Sequence, residues 1–283
     1  MGRVLAVLIW VITIASVLLF THGKWWFPPA ISEHGPAYDA QFNRTIVVVG
    51  VAFALSQIAL GYTLWRYGAR RDRSRATYSH GNNRVEMFCA GLTFVVFVGL
   101  AVIGQPVWMG LHFESAPAGA AKVKTVAQQF QWNFHYPGPD GHFGRTDNSL
   151  INDSSLNFVG LDENDPAAKD DTVISTLVAQ ANRPLELSLT ARDVTHSFAV
   201  PQLRFIQDAV PGINIAVHFT PKTAGRYEIA CRELCGQLHY KMKGYLLVLP
   251  EGQYRELMSL PQAQFVKRVD ELSALPEYAV KSY

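Results

Sequence analysis

Three long segments without Lys, Arg, Asp or Glu constrain the fold of this chain more than any other feature. They cover residues 4–23, 45–65 and 87–111 of the 283-residue sequence. A helix needs about 20 consecutive apolar residues to cross the hydrocarbon core of a bilayer. The second and third segments therefore predict a transmembrane helical hairpin over residues 44–113. The remaining length is enough for one substantial soluble domain.

The first apolar segment allows two interpretations, a cleaved signal peptide or a retained transmembrane helix. Its apolar core, Val4–Phe20, is longer than the roughly 7–15 residues of a typical signal core. No Ala-x-Ala cleavage site follows it. We therefore expect an extra first helix within residues 1–43, followed by a linker. Trp25 and Trp26 in this linker are typical of a membrane interface.

Basic residues between the second and third segments predict the orientation of the chain. Six arginines lie there against a single aspartate: Arg66, Arg70, Arg71, Arg73, Arg75 and Arg84. Short loops rich in Lys and Arg stay in the cytoplasm. The soluble domain is therefore expected on the periplasmic side of a cell inner membrane, in a multi-pass protein. The net charge of only +2 predicts no nucleic-acid partner.

A twelve-residue stretch near the C-terminus collects side chains that bind soft metals. Its donors are spaced four, four and three residues apart: Cys231, Cys235, His239 and Met242. Sulfur ligands mixed with imidazole suit copper, with zinc as a second choice. Iron–sulfur clusters usually need four cysteines, whereas the whole chain has three. A disulfide within the stretch and a structural zinc site are the alternatives.

The flanks of this stretch predict that it is a loop between two strands. Residues 225–230 alternate and carry β-formers, and residues 244–249 form a short apolar run that ends at Pro250. Cupredoxins hold copper in such a loop of a β-sandwich. A blue site with one copper ion needs only one cysteine, whereas two cysteines four residues apart can bridge two copper ions. The third cysteine, Cys89, lies in an apolar segment and is expected to be a small buried residue.

The pattern Cys-x-Glu-x-Cys-x-x-x-His-x-x-Met in this loop resembles the dinuclear copper A site of subunit II of haem–copper cytochrome c oxidases. A second block supports the resemblance, since residues 193–201 and 207–212 match the family segment that supplies the first histidine ligand. The resemblance implies two copper ions and these metal ligands: His196, Cys231, the backbone carbonyl of Glu233, Cys235, His239 and Met242. It also implies that the Glu233 side chain reaches a magnesium ion shared with the catalytic subunit.

The fold class that follows is a set of N-terminal transmembrane α-helices and then an all-β, cupredoxin-like Greek-key sandwich. The copper A domain is expected over residues 120–250, with His196 in a loop. Residues 137–171, rich in Gly, Asp, Asn and Pro, predict a long exposed insertion, and residues 251–283 predict a helical tail. The insertion ends in acidic residues that we expect to steer a basic cytochrome c: Asp162, Glu163, Asp165, Asp170 and Asp171.

Three residues outside the ligand set are further candidates. Glu86 stands at the start of the third span, where the family has a glutamate near the mouth of a proton pathway in the catalytic subunit. Phe130 stands where the family usually has a tryptophan that receives electrons, and Trp132 is the second candidate for that role. Trp132 and Phe134 are also expected in the core, because bulky aromatics in a strand are usually buried.

The resemblance implies the electron-accepting subunit of a membrane-bound cytochrome c oxidase. Electrons would pass from cytochrome c, or another c-type haem protein, through copper A to the haem of the catalytic subunit, where oxygen is reduced to water and protons are translocated. The implied partners are subunit I, subunit III and membrane lipid. The alternative is a membrane-anchored copper-binding or copper-carrier protein without oxidase activity. A quinol oxidase is disfavoured because the copper ligands are intact, and nitrous oxide reductase because the chain has no room for its propeller domain.

Overall fold

The computed structural model describes residues 1–23, 27–68, 78 and 80–280. Its N-terminal part contains three helices that are long and apolar enough to cross a membrane. They are α1 (Gly2–His22), α2 (Gly35–Tyr67) and α3 (Asn83–His112). The α2 helix begins before the apolar span predicted from Thr45. Its 33 residues extend about 50 Å, beyond the hydrocarbon core of about 30 Å.

The first helix packs against the second through a bulky side chain and a glycine. The indole of Trp10 lies so close to Gly61 that a side-chain carbon there would be 2.2 Å from the indole nitrogen. The same nitrogen donates to the carbonyl of Ile58 at 3.4 Å. The amide of Gln41 on α2 donates to the carbonyl of Leu100 on α3 at 3.1 Å. The three helices thus form one unit.

Four arginines of the basic loop and both linker tryptophans lie outside the described residues: Arg70, Arg71, Arg73, Arg75, Trp25 and Trp26. Arg66 and Arg84 lie in the helix ends that flank this loop. The prediction that Cys89 is buried is wrong, because its side chain is exposed on α3. A membrane helix can present an apolar side chain outward, since lipid is its solvent.

A β-sandwich follows the helices. Its described residues contain ten strands: β1 (Ala121–Gln128), β2 (Gln131–Tyr136), β3 (Thr172–Ile174), β4 (Thr176–Gln180), β5 (Leu185–Ala191), β6 (His196–Val200), β7 (Phe205–Ala209), β8 (Ile215–Phe219), β9 (Gly225–Cys231) and β10 (Lys243–Leu249). The first sheet has the order β3-β2-β1-β5-β8, and the second has the order β4-β10-β9-β6-β7. Three apolar helices followed by a β-sandwich confirm the predicted fold class.

The core lies between the two sheets. Strands β5 and β9 alternate between buried and half-buried residues along their whole length, as expected for strands with one face against a core. Trp132 and Phe134 of β2 are buried, which confirms their predicted place in the core. The indole of Trp132 meets the ring of Phe198 from the other sheet edge to face, with centroids 5.6 Å apart.

The linker between α1 and α2 belongs to the soluble unit. Pro28–Pro36 lie in the same compact unit as the chain from Met109 onward. Ile31 is buried in the sandwich core, and its backbone N–H donates to the carbonyl of Gln202 at 2.8 Å. Its own carbonyl accepts from the backbone N–H of Lys222 at 2.6 Å. The linker is therefore held against the sandwich like a short extra strand.

The C-terminal tail is helical, as predicted, and it contributes to the same core. It contains α4 (Glu251–Met258) and α5 (Gln262–Ala274). Six of its side chains are buried in the core cluster: Tyr254, Leu257, Phe265, Val269, Leu272 and Tyr278. The hydrophobic core of the soluble unit therefore extends beyond residue 250.

The insertion contains three short 3-10 turns, Asn148–Leu150, Asp153–Ser155 and Pro166–Ala168. The prediction that all five of its acidic residues form an exposed patch is wrong, because Asp162 and Asp171 are buried. The Asp162 carboxylate pairs with Arg145. Burial of these two carboxylates is possible because each accepts several hydrogen bonds within the insertion.

Candidate metal centre

Two neighbouring strands position the first ligands. Cys231 is the last residue of β9 and His196 is the first residue of β6, and these strands pair with Phe198 opposite Cys231. The expectation that His196 lies in a loop is wrong, because it pairs with Ala209 of β7. The other candidate ligands lie in the loop between β9 and β10, the metal loop (residues 232–242). This loop is closed by a hydrogen bond from the backbone N–H of Cys231 to the carbonyl of Met242, 3.2 Å long.

The structure brings all six predicted donor groups together. The two Sγ atoms of Cys231 and Cys235 are 3.9 Å apart. Cys231 Sγ lies 3.9 Å from His196 Nδ1 and 3.3 Å from the carbonyl oxygen of Glu233. Cys235 Sγ lies 3.5 Å from His239 Nδ1 and 3.7 Å from Met242 Sδ. The loop therefore supplies two sulfur atoms, one nitrogen and one carbonyl oxygen, while the end of β9 supplies the third sulfur atom and β6 supplies the second nitrogen.

The spacing and chemistry of these atoms fit a metal centre. Two donors on one tetrahedral ion with bonds of about 2.0–2.3 Å lie roughly 3.5 Å apart. The nitrogen–sulfur and sulfur–sulfur separations of 3.5–3.9 Å are close to this value. His196, Cys231 and Cys235 alone form a buried group whose ligand atoms all lie within 4.8 Å of one another. Soft sulfur with imidazole is the donor set that copper prefers.

The two thiols differ in how readily they ionise. Burial opposes a thiolate at Cys231, but hydrogen bonds from the His196 side chain and the Ser197 backbone outweigh it and lower its pKa to about 6. Burial, together with the negative charge at Cys231, raises the pKa of Cys235 to about 12. Burial also opposes a charge on His196, but Cys231 and Asp193 raise its pKa. A cation between the sulfur atoms would favour the second thiolate.

Sequence reasoning missed two residues of this site. The His196 Nε2–H donates to Asp193 Oδ1 at 2.8 Å, so that Nδ1, the nitrogen that faces Cys231, could bind a metal ion. The other oxygen of Asp193 accepts from the backbone N–H of Gln129 at 2.7 Å. The amide of Gln129 donates to the carbonyl of Cys235 at 2.6 Å. The Asp-x-x-His spacing was the available signal for Asp193, since metal-binding histidines usually donate to a carboxylate.

The candidates for electron transfer differ in their exposure. Phe130 is half-buried, and its ring lies so close to Gly236 of the metal loop that a side-chain carbon there would be 3.1 Å away. Trp132 is fully buried, with its ring centroid 6.3 Å from that of His196. Glu86 lies in the first turn of α3, in the unit formed by the membrane helices. The structure thus places Phe130 beside the metal loop and Trp132 behind it.

The outer side of the metal loop is apolar. Leu234, Leu238 and Tyr240 are exposed, with relative exposures of 78%, 43% and 76%. Exposed apolar side chains gathered on one short loop are typical of a surface that contacts another protein.

Three membrane helices, a β-sandwich and a buried Cys/His/Met cluster at its end define a membrane-anchored, cupredoxin-like protein with a candidate metal site. The family described as "Cytochrome C oxidase subunit II, periplasmic domain" matches residues 121–247. The alternative cytochrome c oxidase subunit 2 of Bradyrhizobium diazoefficiens is 32% identical over 251 residues, which cover 88% of each chain. Cytochrome c oxidase subunit 2 of a Synechocystis species is 27% identical, covering 89% of this chain and 81% of that one.

A solved structure, the periplasmic domain of subunit II of the cytochrome oxidase of Bradyrhizobium japonicum, is 22% identical with a TM-score of 0.38. The match covers 53% of this chain and 99% of that domain. On the sequence relationships, the chain belongs to the cytochrome c oxidase subunit II family. It is therefore a subunit of a haem–copper oxidase, with membrane-spanning helices and an extracytoplasmic domain.

Proposed function

We propose that this chain is the electron-accepting subunit of its oxidase. It accepts electrons from cytochrome c, or another c-type haem protein, at a dinuclear copper A centre and passes them to the haem of subunit I. Oxygen reduction and proton translocation then take place in the partner subunits. The observation that carries this proposal is the convergence of six donor groups around two thiols only 3.9 Å apart.

The residues that would hold the copper pair are those brought together at the end of the sandwich: His196, Cys231, the carbonyl of Glu233, Cys235, His239 and Met242. When bound, the pair would supply a reversible one-electron carrier whose charge is shared through two thiolates. The protein contributes a frame that resists rearrangement. Strands β9 and β10 pair directly up to the loop, with Lys243 opposite Ala230, so the ends of the loop cannot separate.

A magnesium site shared with subunit I is proposed for the Glu233 side chain. Its backbone carbonyl faces Cys231, while the residue itself is exposed. The carboxylate is therefore available to a partner subunit, and carboxylate oxygens are suitable magnesium ligands. The apolar side chains of Leu234, Leu238 and Tyr240 give the loop a contact surface for such a partner.

Of the two candidates, Phe130 is the proposed point of electron entry, because its ring is half-buried beside the metal loop whereas Trp132 is fully buried. The insertion is tied to the same end of the sandwich. The guanidinium of Arg192 donates to both carboxylate oxygens of Asp153, at 2.6 and 3.2 Å. Of the five acidic residues expected to steer a basic donor, Asp162 and Asp171 are buried and paired. Steering is therefore proposed to depend on the other three, chiefly on the exposed Glu163.

The proposed location is the cell inner membrane, with the copper domain in the periplasm. The linker Pro28–Pro36 belongs to the soluble unit, so the C-terminal end of α1 and the N-terminal end of α2 lie on the periplasmic side. The basic loop after α2 is then cytoplasmic, in agreement with its arginines. Glu86 lies at the cytoplasmic end of α3 in this arrangement, as a residue for proton uptake must.

The copper-carrier alternative receives no support from the site. A carrier needs exchangeable, accessible ligands, whereas His196, Cys231, Cys235 and Met242 are all buried.

The test is metal analysis and electron paramagnetic resonance of the purified full-length chain. We expect two copper ions per chain and one unpaired electron shared by both copper nuclei. One copper ion per chain, or zinc, would refute the dinuclear centre. Rapid loss of copper to a weak chelator would instead favour the carrier.

A further inference from the structure

We propose that Gln129 is a positioning residue that joins the two ends of the metal centre. It lies in the two-residue turn between β1 and β2, which are neighbouring strands of the first sheet. Cys231 and His196 lie on strands of the second sheet. The inference rests on the proposed copper site and concerns what holds its ligands at a constant separation.

The backbone of Gln129 reaches the histidine end of the site. Its N–H donates to one oxygen of Asp193 at 2.7 Å, and the other oxygen of that carboxylate accepts from His196 Nε2 at 2.8 Å. A carboxylate that bonds a ligand histidine in this way holds the orientation of the imidazole. Asp193 is in turn held by the turn that contains Gln129.

The side chain of Gln129 reaches the thiol end of the site. Its Nε2 donates to the backbone carbonyl of Cys235 at 2.6 Å. Cys235 lies in the loop after β9, whereas Asp193 lies in the loop before β6. One residue thus hydrogen-bonds both with the loop that carries Cys235 and with the carboxylate that holds His196.

A glycine leaves room for this contact. Gly236 has a φ of +133°, and a side-chain carbon built on it would lie 2.8 Å from Gln129 Nε2 and 3.1 Å from the ring of Phe130. The missing side chain lets both residues of the turn lie against the metal loop. Gln129 therefore also sets the distance between the metal loop and Phe130, the proposed site of electron transfer from the donor.

The first test uses the full-length chain without copper. Gln129→Met removes the amide donor at similar side-chain length, and Gln131→Met is the matched control, since the Gln131 amide donates to Asn133. We expect backbone amides of residues 231–242 to exchange with deuterium up to about ten-fold faster in Gln129→Met, the effect of losing one hydrogen bond. The control should match the wild type.

The second test uses the copper-loaded full-length chain. Gln129→Met should keep its copper content but shift the absorption spectrum and reduction potential. Gln129→Glu should shift them further, because a carboxylate would face the Cys235 carbonyl.

The proposal is overturned if exchange and potential in Gln129→Met equal those of Gln131→Met. It is equally overturned if exchange accelerates throughout the soluble unit, because Gln129 would then support the fold in general. A wild-type chain that binds no copper would refute the proposed function, while exchange in the copper-free chain would still decide the role of Gln129.

Discussion

Two clusters of buried polar side chains lie in the soluble unit, and their atoms meet at different distances. In the first, His135 Nε2–H donates to Asp171 Oδ2 at 2.5 Å. The same carboxylate accepts from the backbone N–H groups of Gly138 at 3.2 Å and Gly144 at 2.7 Å. In the second, the sulfur atoms of Cys231 and Cys235 face each other and the imidazole nitrogens at 3.5–3.9 Å.

This difference separates a structural cluster from a binding site. Contacts of 2.5–3.2 Å between donors and acceptors are strong hydrogen bonds, and they compensate the cost of burying the His135–Asp171 pair. Soft sulfur atoms at 3.5–3.9 Å have the spacing of ligands around an ion. The first cluster therefore fastens the insertion to β2, whereas the second has donor atoms that could hold a metal ion.

Removal of a thiol should have the largest effect on the metal loop. Cys231→Ser should abolish the shared-electron copper signal, because a hydroxyl does not replace a bridging thiolate. Electron paramagnetic resonance and copper content of the full-length chain measure this. Cys89→Ser on α3 is the control and should keep the signal. A shared-electron signal that survives in Cys231→Ser would exclude a centre with two thiolates.

Breaking the structural cluster should reduce stability and leave copper binding intact. Asp171→Ala leaves the buried N–H of His135 and two backbone N–H groups without their acceptor, which should cost about 3 kcal/mol of unfolding free energy. Asp170→Ala is the control. Asp170 is half-buried and accepts one hydrogen bond, from the backbone N–H of Asp140 at 3.3 Å. Its replacement should lower the unfolding free energy by only about 0.5 kcal/mol. Denaturant titration of the full-length chain measures both losses. Equal losses of unfolding free energy in the two variants would show that the His135–Asp171 contact does not stabilise the fold more than an ordinary surface contact.

Acid should weaken the structural cluster in a predictable direction. Burial lowers the pKa of His135 below 6.5, against the opposing influence of Asp171. Between the folded and unfolded pKa values, the unfolded chain binds a proton that the folded chain does not. The stability due to neutral His135 is thus fully present above pH 6.5 and is lost as the pH falls through the folded pKa.

The difference in unfolding free energy between wild type and His135→Gln measures this contribution. This difference should shrink as the pH is lowered from about 7.5 to about 5, a range that brackets the usual histidine pKa of about 6.5. A difference that stays constant over this range would place the acid sensitivity elsewhere in the molecule.

The smallest effect is expected for the thioether. Met242→Leu should retain copper but shift its reduction potential, because a weak thioether ligand tunes a copper site more than it holds the metal. Met258→Leu changes a partly buried methionine of α4 and should leave the potential unchanged. Loss of copper from Met242→Leu would make Met242 an essential ligand.

The sequence by itself determined those features that depend only on residues close to one another along the chain. The three spans follow from uninterrupted apolar composition. Four of the candidate metal donors lie within one loop, so their spacing and flanking strands were enough to predict that they converge. Trp132 and Phe134 were predictable as core residues because bulky aromatics in a strand are usually buried.

Tertiary structure alone decided the contacts that depend on strand order. The β1–β2 turn meets the metal loop because β1 pairs with β5, whose chain continues into Asp193 and His196, and no periodicity reveals such a pairing. Asp171 is buried because the insertion folds back onto His135, and Ile31 because the linker fills a gap in the sandwich. Non-local hydrogen bonds and packing decide these positions, whereas composition describes only the residue and its neighbours in the chain.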